Sequence, residues 1–113
     1  MDQVYTLDKV VELAEGDKDF INELVSAFLE EIPKDLRYLE GSVKAGKIKV
    51  AYQYAHKMKP SFQMFSIDVL DEIKLLESWS EEAINQDQAM EALAVILEKS
   101  SSAINLIKKD FKK

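Results

Sequence analysis

Residues 17–46 read DKDFINELVSAFLEEIPKDLRYLEGSVKAG, and within them Phe20, Ile21, Leu24, Phe28, Ile32, Leu36, Leu39 and Val43 recur every three or four positions. That period is one apolar face of a helix, not the alternation of a strand. Asp17 offers its carboxylate as an N-cap and Gly46 supplies the stop, so one long helix is predicted between them. Pro33 falls inside the pattern, yet the register of Ile32, Leu36 and Leu39 continues across it, which predicts a kink and not a break.

Working outward, the same period returns on both sides. Upstream, Thr6 is placed as the cap of a short helix through Leu7, Val10, Val11 and Ala14, with Gly16 at its left-handed end. Downstream, Ala51, Ala55, Met58, Phe62 and Phe65 mark a helix from about Lys47 to Phe65, and Ser66 is placed as a cap before the next. A fourth stretch is expected to bury Ile67, Leu70, Ile73, Leu76 and Ala83, and a last one Met90, Leu93, Leu97, Ile104, Ile107 and Phe111. Connections of a few residues make successive long helices antiparallel. The predicted fold is therefore all-α, an antiparallel up-down four-helix bundle with a short additional N-terminal helix, in a single domain over residues 1–113.

Composition agrees. A chain of 113 residues, 47% hydrophobic and 32% charged, can enclose one core without staples, and three glycines and two prolines are too few for a many-turned β fold. The absence of cysteine excludes disulfides, zinc fingers, iron–sulfur clusters and thiol catalysis, and leaves the cytoplasm as the expected compartment. No apolar run approaches the ~18 residues of a membrane span, and Met1 to Asp8 lack the charge and hydropathy pattern of a signal peptide.

Charge is unevenly spread. The net charge is −6, but between Gly41 and Ile67 there is no acidic residue, while Lys44, Lys47, Lys49, Lys57 and Lys59 all fall there. Five lysines could simply solvate an outer face. Without interspersed acids to pair with, however, they are expected to be free for an anionic partner or a phosphoryl group. The only histidine, His56, lies inside this island. It sits one residue past Ala55, rotated about 100° from the apolar stripe, so its ring is expected to reach solvent. Tyr52, Lys59, Pro60 and Gln63 share its face. Lys59, three residues on, can bring an ammonium over a negative group built on the imidazole, and Ser61 and Gln63 add neutral donors. Pro60 forfeits the backbone bond to the carbonyl of residue 56 and leaves a short, uncharged surface over which a partner can approach.

The run His56-Lys57-Met58-Lys59-Pro60-Ser61, with the small Ser66 ten positions after the histidine, resembles the H-x-x-K-(G/P)-S motif of histidine-containing phosphotransfer (HPt) domains. Tyr5-x-Leu7, Gly16-Asp17-x-x-Phe20, Phe28-Leu29-x-x-x-Pro33 and Leu76-Glu77 extend the resemblance over nearly the whole chain. Two positions depart from the pattern: Ser66 stands where that family usually has glycine, and Phe62 where it commonly has a smaller residue. The resemblance implies a four-helix phosphoryl carrier in a two-component phosphorelay, with no turnover of its own. It makes His56 the phosphoacceptor and Lys59 the cation nearest the phosphate. The implied partners are the aspartate-bearing receiver domain of a response regulator, a hybrid histidine kinase, or both. Docking is expected around Tyr52, Lys57, Pro60 and Gln63, with Ser61 and Ser66 as the small motif positions. No metal and no cofactor is expected on this chain, Mg²⁺ belonging to the receiver, and the protein is expected to be monomeric with neither nucleic acid nor membrane as partner.

Rival readings lack their residues. The glycines at 16, 41 and 46 cannot form the phosphate-cradling loop of a kinase, and a di-iron bundle needs Glu-x-x-His where this chain has Gln53. A nucleic-acid adaptor would want arginine among the lysines, and Arg37 is the only one in the chain. A helical scaffold that docks a partner through the same lysine-rich face without the chemistry differs from the carrier only at His56.

Overall fold

The computed structural model describes residues 4–79 and 84–113, which form five helices and, among the described residues, no strand. These are α1 (Asp8–Leu13), α2 (Lys18–Lys44), α3 (Ile48–Met64), α4 (Leu70–Glu77) and α5 (Gln86–Asp110). Helix α2 packs on α3, α3 on α4, α4 on α5 and α5 on α2, while α1 lies against α2. One apolar core, built around Phe62, Phe65, Met58, Ile32, Leu39, Ile73, Leu76, Leu93, Ile96 and Ile107, is shared by the four larger elements. Phe28 and Phe65 meet in it with ring centroids 4.3 Å apart.

The long helix forms as its sequence dictates. The Asp17 carboxylate accepts from the backbone N–H groups of Asp19 at 2.9 Å and Phe20 at 3.3 Å, and the helix then continues through Pro33 to Lys44. Its buried face holds Phe28, Ile32, Leu36, Leu39 and Val43 as the period required. Phe20, placed on that face by the same period, is instead 40% exposed, and Ile21 and Leu24 are half-buried. Ile21 and Leu24 still pack against the core from its edge, so burial is least complete at the start of α2. Helix α5 opens with a reciprocal capping box between Asn85 and Gln88 and closes with Lys108 and Lys109 against the helix dipole.

Helix ends depart most from expectation. Thr6 is not a cap: Leu7 holds the N-cap position of α1 without a side-chain bond, and the Thr6 N–H donates to the Phe65 carbonyl at 3.0 Å. That bond and the Tyr5 hydroxyl, which donates to Asp110 Oδ2 at 2.6 Å, tie the leading segment to the bundle. At the end of α1 the left-handed turn begins at Glu15 (φ 52°) and includes Gly16 (φ 78°).

Ser66 does not cap α4, whose N-cap is Val69 with no side-chain bond. It is the left-handed residue that terminates α3, with φ 53°. Its N–H reaches the Gln63 carbonyl at 3.2 Å, and the Ile67 N–H reaches that of Phe62 at 3.0 Å. This is the paired bonding of a Schellman stop, sealed by two buried side chains, Phe62 and Ile67. Ile67 thus precedes α4, which is only eight residues long, and Ala83 lies outside the described residues. No helix among the described residues is long and apolar enough to cross a membrane.

Candidate functional site

Helix α3 carries the site because its core stripe, Ala51, Ala55, Met58 and Phe62, is fully buried and fixes which residues turn outward. His56 turns outward with its side chain 64% exposed. Its neighbour α4 is held by Ile73 and Leu76 in the core, which sets Glu77, the next residue round that helix, at the seam facing α3. There Glu77 Oε2 lies 2.9 Å from His56 Nδ1, and Oε1 accepts from Lys59 Nζ at 3.2 Å. One carboxylate, with a side chain only 14% exposed, therefore joins the histidine and the lysine of the motif.

Electrostatics follow from that geometry. Burial alone pushes the Glu77 carboxyl up, but the hydrogen bonds from His56 and Lys59 and the charges of both outweigh it and hold the group below its ordinary value. A carboxylate only accepts, so in the neutral imidazole the nitrogen facing it carries the proton and Nε2 keeps the lone pair. Among the described residues Nε2 has no hydrogen-bond partner. Tyr52, one turn earlier on α3, lies parallel to the imidazole, with ring centroids 5.8 Å apart and planes within 6°. The result is an exposed ring held at one edge by Glu77 and lying parallel to Tyr52, with its second nitrogen unbonded among the described residues.

The sequence-predicted residues separate into two groups. Tyr52, His56 and Lys59 come together, with Pro60 and Gln63 exposed further along the same face. Lys57 is directed to the other side of α3, where its ammonium donates to Asp35 Oδ1 of α2 at 3.1 Å. Asp35, with a side chain 6% exposed, is the only buried charged residue among the described residues, and its hydrogen bond to Lys57 is the chief cause holding that ammonium above its usual value. Ser61 is half-buried, and Ser66 acts through the backbone at the end of the helix.

The expectation that the lysines are free is corrected. Lys44 pairs with Glu40 at 3.0 Å, Lys57 with Asp35 and Lys59 with Glu77; Lys47 and Lys49 carry no ion pair among the described residues. The acids absent from residues 41–67 arrive from α2 and α4. Sequence reasoning had Glu77 only as half of a Leu76-Glu77 pair and missed Asp35 altogether. Each stands beside a core leucine, Leu76 or Leu36, and that placement at the edge of an apolar stripe is the signal that marks a residue aimed at a helix–helix seam. Among the described residues no group of three or more His, Asp or Glu side chains is arranged to hold a metal ion. Comparison with protein-family models, with curated proteins and with solved structures returned no match.

Proposed function

We propose that this chain is a cytoplasmic histidine phosphotransfer protein, monomeric and without turnover of its own, which accepts a phosphoryl group on His56 and exchanges it with the aspartate of a receiver domain. The observation that carries the reading is the His56 imidazole itself, exposed on a rigid helix and held through Nδ1 by Glu77 so that Nε2 is the available nucleophile. The finer fold belongs with it. Asp35–Lys57 and Tyr38–Tyr54 pair in opposite chain order across α2 and α3, which supports an antiparallel run of those two helices and fits an up-down bundle in a single domain.

The chemistry needs little from this chain. The Nε2 lone pair attacks the phosphorus of the receiver's aspartyl phosphate, the N–P bond forms, the P–O bond breaks, and the aspartate carboxylate leaves with the electron pair. The Nδ1 proton stays in place and the ring becomes cationic beside the Glu77 carboxylate, which stabilises that charge. Lys59, whose ammonium bonds the same carboxylate as His56, neutralises charge on the phosphoryl oxygens. Phosphoryl transfer is largely positioning and charge neutralisation, and the receiver contributes its Mg²⁺ and acidic cluster. Tyr52, Pro60 and Gln63 border the approach, while Lys57 lies on the other side of α3 against Asp35.

Incubation with a phosphorylated receiver domain tests this reading. Acid-labile phosphate on His56 is expected, together with its loss in His56→Gln at nearly unchanged stability, since an exposed ring contributes little to packing. Label retained by that variant, or none acquired by the wild type from any receiver tried, overturns the carrier and leaves a scaffold.

A further inference from the structure

The hydrogen bond from Nδ1 to the Glu77 carboxylate anchors one corner of the imidazole, but a single in-plane contact does not by itself fix the ring plane. A second restraint, applied to the plane itself, is needed before Nε2 has one direction. Tyr52 supplies it. Its ring is one helical turn from His56, parallel within 6° and offset at a centroid separation of 5.8 Å, inside the range of favourable aromatic stacking. The tyrosine stays 44% exposed, so burying it in the core is not what keeps it there. The opposite side of the approach is bounded by Pro60, which has no N–H to offer the ring.

We propose that Tyr52 is a positioning residue for His56: together with Glu77 it locks the imidazole plane so that Nε2 projects outward in one orientation, and it does so without contacting the reacting atoms. The proposal rests on His56 being the phosphoacceptor and says how that acceptor is prepared. It assigns Tyr52 a role distinct from partner docking, because the stack exists within one helix and requires no second protein.

The experiment separates these roles by using a donor too small to dock. Phosphoramidate phosphorylates histidine directly: Nε2 forms the new N–P bond, the donor's own N–P bond breaks, and ammonia leaves. Wild type, Tyr52→Phe and Tyr52→Leu are compared with this donor, and the His56 tautomer and ring-proton shifts are followed by NMR without any donor. A stacked aromatic pair of ordinary strength corresponds to an orientational preference of about 2- to 12-fold. Tyr52→Leu is therefore expected to slow labelling by phosphoramidate by a factor in that range and to remove the ring-current displacement of the His56 protons. Tyr52→Phe is expected to restore both. An unchanged phosphoramidate rate in Tyr52→Leu, even with slower transfer from a receiver, overturns the proposal and makes Tyr52 a docking residue. A ring-current displacement that survives the loss of the tyrosine ring overturns it equally. Failure of the carrier reading looks different: a wild type that phosphoramidate labels but no receiver does, with the NMR signature of the stack intact.

Discussion

Replacing Glu77 by glutamine preserves size and removes the charge on which both His56 and Lys59 converge. The Lys59 ammonium, 3.2 Å from Oε1 and with a side chain 28% exposed, is the partly buried contact, whereas the His56 ring at 2.9 Å is largely in water. A hydrogen bond to a charged group contributes about 1.5–3 kcal/mol when buried, and exposure reduces this. The glutamine oxygen still accepts one of the two bonds, so a loss of about 1–2 kcal/mol at pH 7 is expected, equivalent to roughly 4–8 °C in Tm for a chain of this length. The pH dependence gives the sharper test. The folded Glu77 carboxyl is held below its ordinary value, so its contribution is fully present above the unfolded pKa and is lost as pH falls through the folded one. The gap between wild type and Glu77→Gln should therefore be present at neutral pH and close in acid, as the pH falls through the lowered folded value. Urea unfolding followed by helical circular dichroism at a series of pH values measures it. A gap that persists undiminished at pH 3, or no gap at pH 7, refutes the charge-based account of the site.

Three further outcomes follow from particular residues. Ser66→Gly relieves a side chain held at φ 53°, a conformation costing about 1–2 kcal/mol for a non-glycine residue, against roughly 0.5–1 kcal/mol for the greater freedom of glycine in the unfolded chain, so a net gain of about 0.5–1 kcal/mol is expected in chemical denaturation; a loss would show that the hydroxyl matters. Ser100→Ala removes a fully buried hydroxyl without a hydrogen-bond partner among the described residues and improves helix propensity in α5, so stability should rise by about 1 kcal/mol, and a fall in the urea midpoint would reveal a partner for it. Lys57→Glu places a carboxylate beside Asp35 and near Glu31, so it should destabilise the fold more than Lys57→Gln does, with the difference shrinking at high salt; equal stabilities of the two variants would show that the Asp35 pair is not formed in solution.

The helices were legible because burial repeats along a single segment. Phe28, Ile32, Leu36 and Leu39 announce their face without reference to anything else in the chain, and the same holds for Ala51, Ala55, Met58 and Phe62. The ends were less legible, because a left-handed stop can be taken by serine or glutamate when the backbone bonds and the seal of Phe62 on Ile67 compensate. Glycine is therefore not necessary for a stop, and Gly41 inside α2 shows that it is not sufficient either. Phe20 shows the other limit: periodicity tells which way a side chain points, not whether a neighbour extends far enough to cover it. At the site, His56 and Lys59 could be chosen from spacing on one helix, whereas Glu77 reaches His56, and Asp35 reaches Lys57, across helix seams at separations of 21 and 22 residues respectively. Pairing across a seam depends on the register between helices, which no local pattern carries.

That register changes how the lysine of the motif is understood. With the island read alone, Lys59 is a free cation waiting for phosphate; with α4 in place, it rests on Glu77. On the phosphotransfer reading an arriving phosphoryl group carries nearly two negative charges and competes with a single carboxylate for the same ammonium. Glu77 does not simply lose that competition, because the ring that has just gained the phosphoryl group becomes cationic 2.9 Å from its other oxygen. The carboxylate exchanges part of its attraction to Lys59 for a stronger one to His56, so the lysine can turn toward the phosphoryl oxygens without leaving a bare charge at the seam. The histidine, glutamate and lysine sum to about zero before transfer and, with the phosphoryl group, to about −1 after it, so neither state leaves an uncompensated cation. A carrier that must both receive and release a phosphoryl group benefits from that balance, because a site with an uncompensated cation would hold the phosphoryl group too firmly to pass it on.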